Sequence, residues 1–270
     1  MRLNVLPGSD ALDVTRVLAM ADQAYADFCA AGTTSESIDI GIAICTPQFP
    51  EIHDANRLFL ARHPADADVE QLWEATERYY AERRSRCRRV MLSRLAKDSE
   101  KQPLAELLLS RGWRELCLDL LRLDHSTGPR DQLIRIVSAR SVMRLYESFA
   151  RQAAMPVHPQ LADVSILRLD EPRYEALVAL VDGQVVARAA VMTSGEVGLI
   201  EQVHVLEAYR GRGIGRAVMQ AAVDLCARAE FKHVVLSCAA ENAVAQALYA
   251  SMGFVKIGES VSLADPDTLA

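Results

Sequence analysis

The most chemically suggestive stretch of this 270-residue chain is Val203-His-Val-Leu-Glu-Ala-Tyr-Arg-Gly-Arg-Gly-Ile-Gly-Arg216. An apolar run ending near Val205 reads as a strand. Three alternate glycines, Gly211, Gly213 and Gly215, then open a segment whose apolar residues Ile214, Val218, Ala221, Ala222 and Leu225 have helical spacing. At a helix start the first N–H groups have no carbonyl partner, and the aligned peptide dipoles favour negative charge. Glycine lets backbone approach an anion with no Cβ in the way. Arg210, Arg212 and Arg216 add positive charge around it. These residues are suited to holding a phosphate or pyrophosphate.

Spacing separates three kinds of nucleotide-binding loop. A P-loop needs Gly-Lys-Ser/Thr, whereas Gly215 is followed by Arg216 and Ala217. A dinucleotide loop needs G-x-G-x-x-G early in a βαβ unit, whereas here G-x-G-x-G follows segments that read as antiparallel strands. The third pattern, Arg/Gln-x-x-Gly-x-Gly/Ala, holds the pyrophosphate of coenzyme A, and Arg210-Gly-Arg-Gly-Ile-Gly215 fits it at every position. Downstream, a strand-like Lys232–Ser237 leads into Asn242-Ala-Val-Ala-Gln-Ala-Leu-Tyr-Ala-Ser-Met-Gly-Phe254, which fits N-x-x-A-x-x-L-Y-x-x-x-G-F. With both motifs in this order, the chain resembles the GNAT superfamily of N-acetyltransferases.

The resemblance implies an α/β (α+β) fold, a mixed and mostly antiparallel sheet flanked by helices. That sheet would splay between the strands at 197–205 and 232–237 to admit a pantetheine arm. It implies acetyl-CoA as acetyl donor, no metal, and a primary amine that attacks the thioester directly in a ternary complex. Arg210, Gly211, Arg212, Gly213, Ile214 and Gly215 would hold the pyrophosphate. Backbone of the Val203, His204 and Val205 stretch would pair with the pantetheine amides, the His204 imidazole facing the other way as a sheet histidine. Arg216 is a further phosphate contact or a solvated side chain; Asn242 touches the cofactor or only caps its helix. Tyr249 falls where the family places the phenol that protonates the departing sulfur, a reasonable donor because its pKa of ~10 lies close to that of a thiol; packing is its other role. Glu201 falls where several members carry a glutamate base. Period-two alternation would put Glu201 on the face of Val203 and Val205, although a strand-start Glu is also often solvated. Cys238 stands close by, but this chemistry needs no covalent thiol.

The elements that must position these residues read as two halves. Asp124-His-Ser-Thr-Gly-Pro-Arg-Asp131 is the best break, giving units at 1–125 and 132–270 joined by a linker at 126–131. In the second half, Leu133–Val137 reads as strand and Ser141–Ala154 as a helix ended by Pro156. A hairpin at 174–192 then turns on Asp182-Gly183, and Val197–Val205 leads into the glycine loop. In the first half, Ser37–Cys45 reads as one strand, Val69–Arg86 as helix, Arg89–Leu92 as strand, Pro103–Ser110 as helix and Glu115–Leu123 as strand. The tail after Glu259 is short for a final hairpin, so another segment is expected to complete the last strand.

The first half faintly repeats the second. Leu107-Leu-Leu-Ser-Arg-Gly-Trp113 aligns with Leu248–Phe254, setting Leu108 opposite Tyr249 and Trp113 opposite Phe254. No glycine occurs between Gly41 and Gly112, and Pro64–Val69, with two carboxylates, stands where a phosphate loop would be. The expectation is two GNAT-like domains in tandem, the first degenerate, without its own cofactor, and shaping the acceptor pocket.

Composition narrows the classes. Hydrophobic residues make up 50% and charged residues 24%, so the chain can bury a core. A net charge of −6 argues against a nucleic-acid partner, and the Arg83, Arg84, Arg86, Arg88, Arg89 cluster reads as a solvated helix face. The longest charge-free stretch, Asn242–Val255, falls short of the ~20 residues of a membrane span. The six cysteines, without CxxC, read as reduced core thiols. A cytoplasmic protein that uses a coenzyme A thioester and an amine is expected, with room for a homodimer. The alternative is a non-catalytic acyl-CoA-binding module with the same fold.

Overall fold

A computed structural model describes residues 13–62, 67–125, 134–155 and 157–268. The expected linker at 126–131, residues 64–66 of the Pro64–Val69 stretch and the helix-ending Pro156 lie outside the described residues. The elements in chain order are α1 (Val14–Ala30), β1 (Ser35–Ile38), β2 (Gly41–Cys45), β3 (Asn56–Ala61), α2 (Val69–Glu82), β4 (Arg89–Leu92), α3 (Asp98–Ser110) and β5 (Arg114–Leu123). They continue with β6 (Arg135–Ser138), α4 (Met143–Ala154), α5 (Leu161–Leu167), β7 (Tyr174–Val181), β8 (Gln184–Ser194), β9 (Val197–Val205), α6 (Ile214–Arg228), β10 (His233–Ala239), α7 (Ala243–Ser251) and β11 (Phe254–Ala264).

All eleven strands join one mixed sheet in the order β1-β2-β3-β4-β11-β5-β10-β9-β8-β7-β6. Only β3–β4 and β9–β10 run parallel; every other neighbouring pair is antiparallel. The two halves have exchanged strands. β10 takes β5 as its next neighbour, Val235 opposite Arg122 through Ala239 opposite Leu118. β4 takes β11, Met91 opposite Ser262 through Arg89 opposite Ala264. β5 and β11 pair along their whole length, Leu123 opposite Phe254 through Arg114 opposite Ala264. The short C-terminal tail is therefore completed by a strand of the first half.

Helices cover both faces. On one face, α1 (Ala21, Tyr25, Phe28) and α4 (Tyr146, Phe149) share a core with Ile44, Phe59, Met91, Leu120, Tyr174, Leu199 and Val235, so residues of both halves mix there. On the other face each half keeps its own core. Trp73, Tyr80, Leu104 and Leu108 of α2 and α3 pack on β2, β3 and β4. Ile214, Val218, Met219 and Ala222 of α6 pack with Tyr249 and Met252 on β8, β9 and β10.

Several local expectations change. Ser37–Cys45 is a hairpin, β1 and β2 turning at Asp39-Ile40 before Gly41. Helix α3 starts five residues before Pro103, because the Glu100 carboxylate accepts from the Lys97 backbone N–H at 2.8 Å and fixes the first turn there. Helix α2 stops at Glu82, so the arginine cluster is not one helix face. Arg86 instead pairs with Asp265 and Asp267, Arg88 with Glu51, and Arg89 lies in β4. Cys117 is exposed on β5; the other five cysteines are buried, and all six are free thiols. Helix α1, strand β3 and helix α5 had no sequence counterpart.

The repeat puts a glycine after each of two matching helices, Gly112 with φ +85° after α3 and Gly253 with φ +90° after α7. A Cβ on Gly112 would meet nothing within 4 Å, whereas one on Gly253 would land on the His125 carbonyl oxygen. Gly112→Ala should cost the ~1–2 kcal/mol of a left-handed alanine, a fall in Tm of about 5 °C for a chain of this size. Gly253→Ala should lose more than about 10 °C, since backbone must also move. Thermal unfolding of the two variants checks this, and equal losses would contradict the close approach of β5 to α7.

Candidate functional site

The site begins where β9 and β10 part. They pair in parallel from Val197 opposite His233 to Ile200 opposite Leu236, and no further. Beyond that point β9 carries a bulge. Arg188 of β8 faces His204 and Ala190 faces Glu201, so an extra residue is fitted between them, and Gln202 takes φ +54°. β10 meanwhile follows β5. The divergence leaves a cleft of about 230 Å³ lined by Ile200, Glu201, Gln202, Val203, Ser237, Cys238, Ala239, Asn242, Ala245 and Tyr249. In the first half the equivalent strands β3 and β4 stay paired to Ala61 opposite Leu92.

The glycine loop follows β9. One 3₁₀ turn, Glu207–Tyr209, leads through Gly211 (φ +74°) to Gly213 (φ +77°), the N-cap of α6. A glycine cap brings no side chain to the first-turn N–H groups, and a Cβ at Gly211 or Gly213 would meet nothing within 4 Å. Fifteen residues of helix stand behind this end, so the partial positive charge of the dipole is fully developed. The first-turn donors of α6 are free of side-chain caps and open on the outer side, as a pyrophosphate would require. Ile214 is buried and Gly215 half-buried, its Cα beside Val205 and Leu248.

The flanking side chains divide. Arg210 donates from Nε to the Val205 carbonyl at 3.1 Å, and Arg216 is tied to Ser251 at the end of α7. Arg212 stands over the Tyr209 ring at 5.4 Å. Asn242 caps α7, its Oδ1 accepting from the Ala245 N–H at 3.1 Å, while also lining the cleft. His204 packs edge-on against Phe149, 6.0 Å between ring centroids, away from the face of Val203 and Val205. Burial first, then Arg188 and Arg210, push its pKa down to about 4, so the imidazole is neutral near pH 7.

The bulge corrects the placing of Glu201. Up to Ile200 the strand alternates, Val197 and Leu199 toward α1, Ile200 toward α6. With Gln202 inserted, Glu201 faces the α1 side while Val203 and Val205 face α6, so the three residues do not share a face. Glu201 is not a solvated strand-start carboxylate either. Its Oε1 is buried and has no hydrogen-bond partner, and burial, with Asp54 adding to it, raises its pKa to about 8 against the pull of Ser237, Arg168 and Arg57. Across the cleft, Tyr249 is 6% exposed, its ring edge-on to Phe254 at 6.1 Å. Burial, Cys238 and Glu201 all raise its pKa, so the phenol keeps its proton. Burial pushes the Cys238 thiol up to about 11, which leaves it a poor nucleophile.

Behind Glu201 lies a polar interior that no motif announced. Helix α1 supplies Tyr25 and Cys29, the turn before β3 supplies His53 and Asp54, β3 supplies Arg57, and the turn after α5 supplies Arg168. Gln202 accepts from the Tyr174 hydroxyl at 2.7 Å on the same side. The one sequence hint was a charged residue, Arg168, set between Leu167 and Leu169.

Three comparisons bear on this geometry. Residues 141–254 match the family model described as the acetyltransferase (GNAT) family. The chain is 29% identical over 129 residues to human N-acetylaspartate synthetase, a match covering 47% of this chain and 41% of that protein, so the chain spans less than half of that relative's length. Among solved structures, a GCN5-related N-acetyltransferase from Kribbella flavida superposes with a TM-score of 0.63 at 16% identity, over 95% of this chain and 97% of its own. A conserved protein of unknown function from Staphylococcus epidermidis gives 0.60 at 18% identity, over 88% and 95%. A tandem GNAT protein from the clavulanic acid pathway gives 0.52 at 16% identity, over 77% and 73%. These last three are likenesses of fold, extending over both halves. Among the described residues no helix is long and apolar enough to cross a membrane. With the splayed strands and the glycine-capped helix inside the matched segment, residues 141–254 form a GNAT acetyltransferase domain.

Proposed function

We propose that the protein is an acetyl-CoA-dependent N-acetyltransferase that acts on a primary amine within a ternary complex. The observation that carries this reading is the cleft itself. It opens where β9 and β10 part, beside the uncapped N-terminus of α6, and it is lined by one raised carboxyl and one protonated phenol. Residues fit the coenzyme: Gly211 to Gly215 offer backbone donors to the pyrophosphate, and Val203 to Val205 offer a strand edge to the pantetheine. When bound, acetyl-CoA supplies an activated acyl carbon.

The chain's own residues then move two protons. Glu201, in its ionised form, takes one from the ammonium of the acceptor, directly or through a water, leaving the neutral amine that attacks the acyl carbon. A carboxyl with a pKa near 8 is a better match for an ammonium than an ordinary glutamate. As the carbon–sulfur bond breaks, Tyr249 gives its phenolic proton to the departing thiolate. Proximity contributes as much as proton transfer, because the cleft and the face beneath α1 would hold both reactants together. The first half binds no cofactor in this reading, since β3 and β4 remain paired where a cleft would open. It contributes β5 to the floor and α1 to the cover.

Calorimetric titration with acetyl-CoA should show one site per chain. Gly213→Asp, which sets a carboxylate at the phosphate position, should weaken binding at least ~30-fold, while Gly213→Ala, with the same backbone strain and no charge, should weaken it far less. Two sites per chain would overturn the assignment of the first half. Tyr249→Phe should lower kcat about 100-fold or more with little change in acetyl-CoA affinity; an unchanged kcat leaves the phenol a packing role, and binding without thiol release on any amine would establish a non-catalytic acyl-CoA module.

The raised Glu201 carboxyl sets a pH dependence. Below about 8 the group is protonated and cannot accept a proton, so kcat/KM should climb with pH and level off above that value. Asp54 raises that midpoint, and Arg57, Arg168 and the Ser237 backbone lower it. Glu201→Gln should remove this limb from the profile; a profile that stays the same assigns the base elsewhere.

A further inference from the structure

Two buried guanidiniums share the polar interior behind Glu201, and only one is fully used. Arg57, 2% exposed, gives Nε to the His53 carbonyl at 3.4 Å, Nη1 to the Cys29 sulfur at 3.4 Å and Nη2 to Asp54. Arg168 is 0% exposed, and none of its three nitrogens has a hydrogen-bond partner. Its nearest acid is Asp54, at 3.8 Å, already engaged by Arg57 and by His53 at 3.2 Å. Its one other close neighbour is the Phe28 ring, 4.4 Å below the guanidinium carbon.

Buried charges are expensive unless paired and hydrogen-bonded, and a guanidinium carries five donors. Here two cations stand against the single carboxylate of Asp54, with Glu201 neutral below about pH 8. The interior therefore holds a surplus positive charge and a set of unspent donors. On the same face Glu201 holds the opposite shortage, a buried Oε1 that accepts from nothing. Rings connect the two: Arg168 lies over Phe28, Phe28 is 6.3 Å from Tyr174, and Tyr174 bonds to Gln202, the neighbour of Glu201. An unmet acceptor beside the thioester cleft and an unmet forked donor deeper in the same interior are complementary to one kind of molecule, an amine that also carries a carboxylate.

We propose that the acceptor is an amino acid, its amine directed to Glu201 and its carboxylate bound by Arg168. This rests on the acetyltransferase reading given above. Arg168 acts as a binding residue, with Asp54 and Arg57 holding it in place, and the Phe28 ring must yield for the carboxylate to reach it. The first half thereby earns a direct part in substrate choice, since Phe28, Asp54 and Arg57 all belong to it.

The test uses the full chain, acetyl-CoA, the twenty standard amino acids, and matched amines that lack the carboxylate: cadaverine for lysine, phenethylamine for phenylalanine, ethanolamine for serine. Thiol release should favour at least one amino acid and no matched amine. For that amino acid, Arg168→Gln should raise KM about 30-fold or more with kcat much less affected, and Arg168→Lys should recover part of the loss. Because the guanidinium spends no hydrogen bond in the fold, Arg168→Gln should hold or raise Tm, whereas a structural ion pair with Asp54 would make Tm fall and depress every acceptor alike. Equal use of amines with and without the carboxylate would overturn the proposal while leaving acetyl transfer standing. If no acceptor releases thiol, titration of the same amino acids into coenzyme A-saturated protein decides: Arg168-dependent binding upholds the carboxylate site without the enzyme, and no binding removes it.

Discussion

Ten residues of β5 lie antiparallel against β11, and the rest of the molecule depends on that pairing. Without β5, the edge of β10 beyond Val235 would face solvent with unpaired backbone groups; without β11, β4 would do the same. Such edges are liabilities that proteins cover or close. Here each half closes the other. The exchange also leaves the two halves with a single sheet and, beneath α1 and α4, a single shared core, so a site on that face is necessarily built from both.

From this follows the position of the cleft. β10 is committed to β5 by hydrogen bonds from Val235 to Ala239, and the Gln202 bulge swings β9 off to follow β8. Two parallel strands with different partners must part, and the gap between them ends at the glycine-capped start of α6. The bulge has a second effect: one added residue turns the Glu201 carboxyl from the α6 side to the α1 side. On that side burial raises its pKa to about 8. Geometry and acidity of the candidate base thus share one cause.

The buried arginines are a different kind of feature. A core built for stability alone would replace a guanidinium without partners by an apolar side chain, because unpaired buried charge destabilises a fold. Arg168 sits instead where the first half's α1 and 53–57 segment meet the turn after α5, in a face that otherwise reads as aromatic core. Its cost is tolerated by the large shared core around it, and its position ties the noncatalytic half to the chemistry.

What the amino-acid order determined by itself was local. Gly211, Gly213 and Gly215 set the left-handed backbone and open helix start of the phosphate loop, Asp182-Gly183 set the hairpin, and Asn242 set the start of α7. Each depends on backbone preference or on contacts a few residues apart. The family resemblance rested on these same segments. Tertiary structure alone decided the exchange of β5 and β11, since strand pairing joins residues some 140 positions apart and an apolar run carries no record of its neighbour. It also decided the face of Glu201, because period-two reasoning assumes an unbroken strand and a single bulged residue inverts it. The meeting of Arg57, Asp54 and Arg168 behind Glu201 was equally invisible, being the product of three chain segments brought together only when the two halves share a core.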